Sequence, residues 1–309
     1  MVPALGMILV VTFVVMHLAP GDPARAFAGE YATEETIEAL RKQYGVDRPM
    51  WSQFTTYAGN LLRGDFGTSF SYGRPVTSII AERLPATLLL ATTALLVSVT
   101  AGILMGTLAA RRPAGFLDRG INVAALLMYA VPGFWLAQIA LLVLGLRAGL
   151  VPVLGMTDTR IEYSGVHRVL DVAHHLALPA LVLAASEIAL VLRLTRTGLI
   201  EQLGQNYTRT AEAKGLSSTA VLARHALPNA AIPLITVVGT RVGFLFSGAV
   251  VIETVFSWPG VGLLLVDAAN SGDRPMALGL VVLVAVSVLA ANLITDLVYA
   301  RVDPRIRYD

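Results

Sequence analysis

The chain contains no cysteine, only two lysines and few charges of either sign, and each shortage closes off a class of function. Without cysteine there is neither a disulfide framework nor a thiolate metal site, so the fold is indifferent to the redox state of its compartment. A phosphate-cradling loop of the Gly-x4-Gly-Lys-Ser/Thr kind needs a lysine followed by a hydroxyl residue. Lys42 is followed by Gln43 and Lys214 by Gly215, so this loop is missing and any nucleotide chemistry must come from a partner. Charged residues make up 14% of the 309, against about 25% in an average globular chain. Lipid is the solvent that this deficit implies. No basic stripe alternates with aromatics, which argues against nucleic acid as a partner, and no fixed-period repeat exists to build a solenoid. Candidate acids, bases and metal ligands are scattered, so no catalytic residue and no metal site is assigned.

What the chain has instead is long apolar runs. Crossing a bilayer as a helix takes about 20 mostly apolar residues, and the sequence offers six such runs: Val2–Leu18, Pro85–Ala110, Ile121–Leu146, Leu176–Leu194, Ala230–Ile252 and Met276–Ala300. They are continuously apolar rather than alternating, which indicates helices and not a barrel. The first run lacks a basic stretch before it and a small-residue cleavage site after it, so it reads as a retained helix rather than a signal peptide. Its shortness would follow if a few residues were missing ahead of it.

Basic residues orient the spans. Arg111, Arg112 and Arg119 fill the short second connection, and Arg193, Arg196, Arg209, Lys214 and Arg224 lie in or beside the fourth. Arg301, Arg305 and Arg307 crowd the tail. The 19–84 segment is also basic, but loops longer than about 60 residues translocate largely regardless of charge. The expectation is an all-α polytopic membrane protein with six transmembrane helices, both termini in the cytoplasm, and a helical outer domain over 19–84. Within that outer segment Thr33 caps a helix that Gly45 ends, a second helix covers Trp51–Leu62, and a third starts at Pro75 and runs through Ile79 and Ile80 along the membrane surface. Two further outer loops are expected at Arg147–His175 and Glu253–Pro275. The stretch Ser257-Trp-Pro-Gly-Val-Gly262 in the latter either reaches an external partner or plugs the mouth of the bundle.

The fourth connection is the unusual one, being polar, basic and held between two apolar runs. Tyr207–Lys214 is built of good helix formers that stop at Gly215. Ser217 or Ser218 can cap a second short helix that runs through Ala226 and ends at Pro228. Short helices tied at both ends to spans transmit rigid-body motion. Inside the runs, ionisable groups are costly and mark a pathway or a pair. Glu187 and Arg241 lie deepest, and either pair with each other or face a translocation cavity. Asp296 anchors the last helix. His174 and His175 have no further ligands beside them and read as interfacial histidines. Small residues at Ala101-Gly102, Gly106 and Gly239–Gly243 would let helices approach closely and shift.

The segment resembles the EAA loop of ABC-importer permeases, whose pattern is Glu-Ala-Ala, three residues, Gly, nine residues, Ile, one residue, Leu-Pro. Anchored on Gly215, the Leu-Pro falls at Leu227-Pro228. Arg209 stands at the Glu position, Thr210 and Ala211 at the two alanines, and His225 at the Ile. Those departures resemble the dipeptide/oligopeptide/nickel branch, whose Tyr-x-Arg-Thr-Ala-x-Ala-Lys-Gly-Leu run matches Tyr207, Arg209, Thr210, Ala211, Ala213, Lys214, Gly215 and Leu216. Its downstream motif matches His225, Ala226, Leu227, Asn229 and Ala230. Further matches run in order along the chain at Leu18–Pro23, Arg83–Leu88, Glu253–Phe256, Trp258–Gly260, Asp296–Tyr299 and Asp303–Arg305. Gly272-Asp-Arg-Pro275 departs from an expected Arg-Asp-Tyr-Pro.

The resemblance implies the "B"-type permease subunit of an importer in a bacterial cytoplasmic membrane. Its implied partners are a second homologous permease subunit, two ABC ATPase subunits or domains, and an extracytoplasmic substrate-binding protein. ATP and Mg would sit on the ATPases, with no cofactor on this chain. Arg209, Thr210, Ala211, Glu212, Ala213, Lys214, Gly215, Leu216, Ser217, His225, Leu227 and Pro228 would form the ATPase-coupling surface. The implied cargo is di- or oligopeptide, with nickel or another small solute as the alternative. A secondary transporter or channel is the rival class, and would show broken midplane helices or inverted repeats.

Overall fold

The computed structural model describes residues 2–18, 33–44 and 47–302. Among them every named element is a helix, and the one β-type pairing is an isolated bridge between Thr68 and Pro75. In chain order the helices are α1 (Val2–Leu18), α2 (Glu34–Tyr44), α3 (Met50–Leu62), α4 (Val76–Ala110), α5 (Phe116–Ala130) and α6 (Gly133–Ala140). After these come α7 (Gly165–Leu203), α8 (Asn206–Ala213), α9 (Ser218–Val221), α10 (Leu227–Phe256), α11 (Val261–Ser271) and α12 (Arg274–Val302). π-helical turns extend α6 over Leu141–Arg147 and join α9 to α10 over Leu222–Ala226. The motifs at Leu18–Pro23 and Asp303–Arg305, the Gly45 stop and the tail arginines Arg305 and Arg307 lie outside the described residues, wholly or in part.

The apolar runs are helical except at Val131 and Pro132 in the third, and the element boundaries differ from the expected ones. α4 is 35 residues long, about 50 Å at 1.5 Å per residue. It absorbs the third outer helix expected at Pro75, and Ile79 and Ile80 are buried instead of lying out along a surface. Pro85 does not separate the two parts, because a proline removes one N–H while keeping a helix-compatible φ, a loss that spanning helices tolerate. The third run is not one straight span. Val131 takes an extended ψ of 128° and Pro132 one of 132°, since a residue ahead of proline is driven out of the helical region. As a result α5 meets α6 and its π turn at 104°. The outer loop placed at Arg147–His175 is shorter, because α7 already begins at Gly165.

Contacts divide the chain into two units, one holding residues up to Pro85 with Leu264–Ser287, the other Ala86–Leu263 with the chain from Val288. In the first, α1 packs on α3. The Phe13 ring meets Phe54 edge-on at 5.2 Å, Tyr57 donates to Thr12 Oγ1 (3.0 Å), and His17 Nε2 lies 3.0 Å from Gln53 Oε1. Thr33 caps α2 as expected, its Oγ1 accepting from the Thr36 N–H at 3.4 Å. Asp273, from the mismatched motif, is buried in this unit. It accepts from Met276 N (3.2 Å) at the start of α12, from Ser71 N (3.0 Å) and from the Ser69 hydroxyl.

The second unit contains the main apolar core, built from α4, α6, α7 and α10 around Leu90, Leu183, Ile188, Ile252, Phe256 and Trp258. Small residues make the helix crossings possible here: a Cβ on Gly102 would lie 2.5 Å from Val191 Cγ1, and one on Gly106 2.7 Å from the Leu192 carbonyl. Gly239 is pressed against Thr295 in the same way. The stretch expected as an outer loop at 253–275 is mostly helical. Ser257 takes a left-handed φ of 49°, and α11 leaves the end of α10 at 79°. Trp258 at the bend is fully buried and donates from Nε1 to the Ala86 carbonyl at 2.8 Å. Beside it the buried Glu253 carboxylate accepts from the Thr87 hydroxyl (2.6 Å), Gly262 N (2.7 Å) and Leu263 N (3.1 Å). A carboxylate at the first N–H groups of α11 fits both their hydrogen-bonding need and the helix dipole.

Candidate functional site

Local sequence chemistry shapes the elbow between α7 and α10. Gly204 and Gln205 alone separate α7 from α8, which runs Asn206–Ala213. Gly215 adopts φ +87°, its N–H bonds to the Glu212 carbonyl (2.9 Å), and Leu216 N bonds to the Ala211 carbonyl (3.3 Å). This is the Schellman ending, in which a left-handed residue returns two N–H groups to the last helical turn. Of the two candidate caps it is Ser217 that serves, accepting from Ala220 N at 3.3 Å. Pro228 does not end the second short helix. α9 passes through the π turn Leu222–Ala226 straight into α10, where Pro228 occupies the first turn and no N–H is required of it. The His225 carbonyl accepts from the Asn229 side-chain amide at 2.7 Å.

The elbow has an inner and an outer face. Thr208, Ala211, Val221, Leu222 and Ala226 are buried, and Leu199, Ala226 and Ala230 pack with Ala110 in a small apolar cluster. Tyr207 ties the two ends together, donating to Gln202 Oε1 (2.7 Å) and accepting from Asn229 Nδ2 (3.4 Å). Arg209, Thr210, Glu212, Ala213, Lys214, Gly215, Ser217 and Pro228 are exposed, and Leu216, His225 and Leu227 are half-buried. The motif positions are thus accessible and form the rim of the elbow, apart from Ala211, which is buried.

A support missed at the sequence level lies under α7. Asp118, at the start of α5, takes Arg196 in a two-point grip, Nε at 2.5 Å and Nη2 at 2.8 Å. It also accepts from Ala114 N (2.8 Å) and Asn122 Nδ2 (2.6 Å), so one buried carboxylate fixes the 111–115 turn to α7. The signal was available: Asp118 is the one acid among Arg111, Arg112 and Arg119. Its partner had registered only as a topology-determining charge.

Glu187 on α7 and Arg241 on α10 do come together, Oε1 to Nη1 at 4.0 Å. They line a small pocket with Leu95 and Ser98 of α4, Leu190, Val191, Val237 and Val238. The approach of the two side chains is observed, and the small pocket beside them is not a translocation cavity. His174 and His175 are separately engaged, His174 Nε2 with the Leu150 carbonyl (3.2 Å) and His175 Nδ1 with Asp171 (3.1 Å). No group of three or more metal-ligating residues is present among the described residues.

Residues 102–308 match the family described as "Binding-protein-dependent transport system inner membrane component", and residues 2–91 match "Binding-prot-dependent transport system membrane comp, N-term". The chain belongs to this family. It is therefore a multi-pass inner-membrane component of a transport system. Among its relatives is the "Oligopeptide transport system permease protein AppB" of Bacillus subtilis (strain 168), 39% identical over 308 residues, which cover 99% of this chain and 96% of that one. The "Probable peptide ABC transporter permease protein y4tP" of Sinorhizobium fredii is 38% identical over 307 residues, 99% and 96% of the two chains. A solved chain of the MetNI methionine ABC transporter, in an inward-facing crystal form, superposes with a TM-score of 0.59 at 14% identity. That alignment spans 73% of this chain and 96% of the other, and it establishes a shared permease fold.

Proposed function

We propose that the chain is one permease subunit of an ATP-driven importer of di- or oligopeptides. The observation that carries the cargo is identity near 40% along essentially the whole chain to proteins named for peptide transport. The proposed assembly pairs the chain with a second, homologous permease subunit. Two ATPase subunits dock on the cytosolic side, and a substrate-binding protein delivers peptide from outside. The chain itself would bind no nucleotide, and ATP and Mg would sit on the ATPases. Six spans with both termini in the cytoplasm are proposed from the charge distribution, the broken pair at Pro132 counting as one crossing.

In this reading the exposed rim of the elbow is the ATPase-docking surface, with Arg209, Glu212 and Lys214 as its charges and Gly215 and Ser217 shaping its turn. Mechanical logic supports it. α8 joins α7 through two residues, and α9 runs into α10 without a break. A push on the elbow would therefore reach both long helices without being lost in a flexible linker. Closure of the ATPases would tilt α7 and α10 and expose the path alternately to the two sides.

The test is purification of the chain with the products of its neighbouring genes, followed by reconstitution. A P-loop ATPase should co-purify and peptide uptake should require ATP. An R209A/K214A double variant should reach the membrane yet lose ATPase or uptake. Topology has its own test: single cysteines placed at Thr219 and Thr159 in this cysteine-free chain should react with an impermeant thiol reagent from opposite sides.

A further inference from the structure

α4 and α7 present different surfaces at the same depth. From Ala86 onward both belong to the second unit, and they run side by side in the same direction, Gly102 against Val191 and Gly106 against Thr195. Two residues further along each helix, Leu104 therefore stands level with Arg193 and Leu108 with Thr197. Over this stretch α4 exposes Leu96, Thr100, Leu104 and Leu108. The Thr100 hydroxyl is turned back onto the Leu96 carbonyl at 2.6 Å, so the surface is apolar in effect and suits lipid. From Val182 to Thr197, α7 exposes Ser186, Arg193 and Thr197 instead. Their spacing of seven and four residues puts them on one face, a stripe about 16 Å long at 1.5 Å per residue. An arginine turned to acyl chains at the level of exposed leucines is costly, and such groups face a water-filled cavity or a partner as a rule.

We propose that the Ser186–Arg193–Thr197 face of α7 is a wall of the water-filled path by which the peptide crosses. The inference rests on the peptide-import reading and names the surface that the cargo passes. In the assembly of that reading the second permease subunit would shield this face from lipid, while the leucine face of α4 stays in the bilayer. Hydroxyl and guanidinium donors placed one or two turns apart meet the feature common to all peptides, their backbone carbonyls. Such contacts are weak, repeated and independent of side-chain sequence, which favours passage over retention. α7 leads into the elbow through Gly204 and Gln205 alone, so a push on the elbow moves this wall.

The absence of cysteine makes the test direct. Single cysteines are placed at Ser186 and Thr197 on α7 and at Leu96 and Leu108 on α4, in the complete transporter reconstituted with its ATPases and binding protein. The probe is a charged, water-soluble methanethiosulfonate, and its reaction is read on the band of this chain. The reacting thiolate needs water around it, so S186C and T197C should label at least about tenfold faster than L96C and L108C. Either α7 position alone carries the test. Uptake of trialanine should be lost once S186C or T197C is labelled, and should persist in L96C and L108C after complete labelling with a lipophilic maleimide. Labelling at the α7 positions as slow as at the α4 positions would overturn the path, since a lipid-facing surface or a dry subunit contact predicts it. Fast labelling that leaves trialanine uptake intact would overturn it too, because water would then reach a face that the cargo does not pass. If the unlabelled native transporter takes up no trialanine, the peptide cargo is wrong, while the labelling contrast still decides the wall.

Discussion

Asp118–Arg196 and Glu187–Arg241 are two acid–arginine pairs that share α7, and they are built on opposite plans. The first has hydrogen bonds at 2.5 and 2.8 Å, and its carboxylate also takes up a turn N–H and a side-chain amide. The second is a 4.0 Å approach between two groups that line a small pocket. Glu253 belongs with the first kind, its carboxylate filled by one hydroxyl and two backbone N–H groups. Closed polar nodes fix one geometry. The charges of the elbow rim, Arg209, Glu212 and Lys214, are exposed instead, so the molecule separates charges that hold it together from charges that face outward.

The contrast can be broken from the closed end first. Glu253→Ala strips the acceptor from Thr87, Gly262 and Leu263 and should cost about 3–5 kcal/mol, read as a large fall in the thermal midpoint in detergent. Asp118→Ala should come next, about 2–3 kcal/mol, because Arg196 keeps some solvent access while the 111–115 turn loses its anchor. Gly215→Ala forces a Cβ into the left-handed region and should cost about 1 kcal/mol, with a matching loss of coupling if the turn is the docking surface. At the other end, Glu187→Gln should move stability by less than about 1 kcal/mol, because its 4.0 Å approach to Arg241 is longer than a hydrogen bond. A Glu187→Gln effect on stability as large as that of Asp118→Ala would erase the distinction.

How much of this was readable beforehand depends on the range of the interaction involved. The elbow was legible because caps are local: Gly215 and Ser217 announce a stop and a start within a few residues, and both serve as expected. The runs were legible as helices, but their ends were not. Polar opening turns such as those of α7, with His167, Arg168 and Asp171, look like loop when hydropathy is averaged, although they are helical. The 104° break was missed because averaging is blind to direction, even though Val131-Pro132 carries the local signal. Pro228 was misread as a terminator since a proline that ends one helix also suits the first turn of the next. Asp118 with Arg196 and Glu253 with Thr87 join residues far apart in sequence, and no local pattern announces such pairs. Glu187 and Arg241 could be named in advance only because charges are so rare within the runs.

The role proposed for the exposed elbow rim is to couple partner ATP hydrolysis to movement of this chain. Its most direct test is peptide uptake and ATP hydrolysis measured together in proteoliposomes carrying the complete transporter with R209A/K214A in this subunit. The account predicts an intact, thermally stable permease in which uptake collapses and peptide no longer stimulates hydrolysis. Native uptake with native peptide-stimulated hydrolysis in that variant would contradict it.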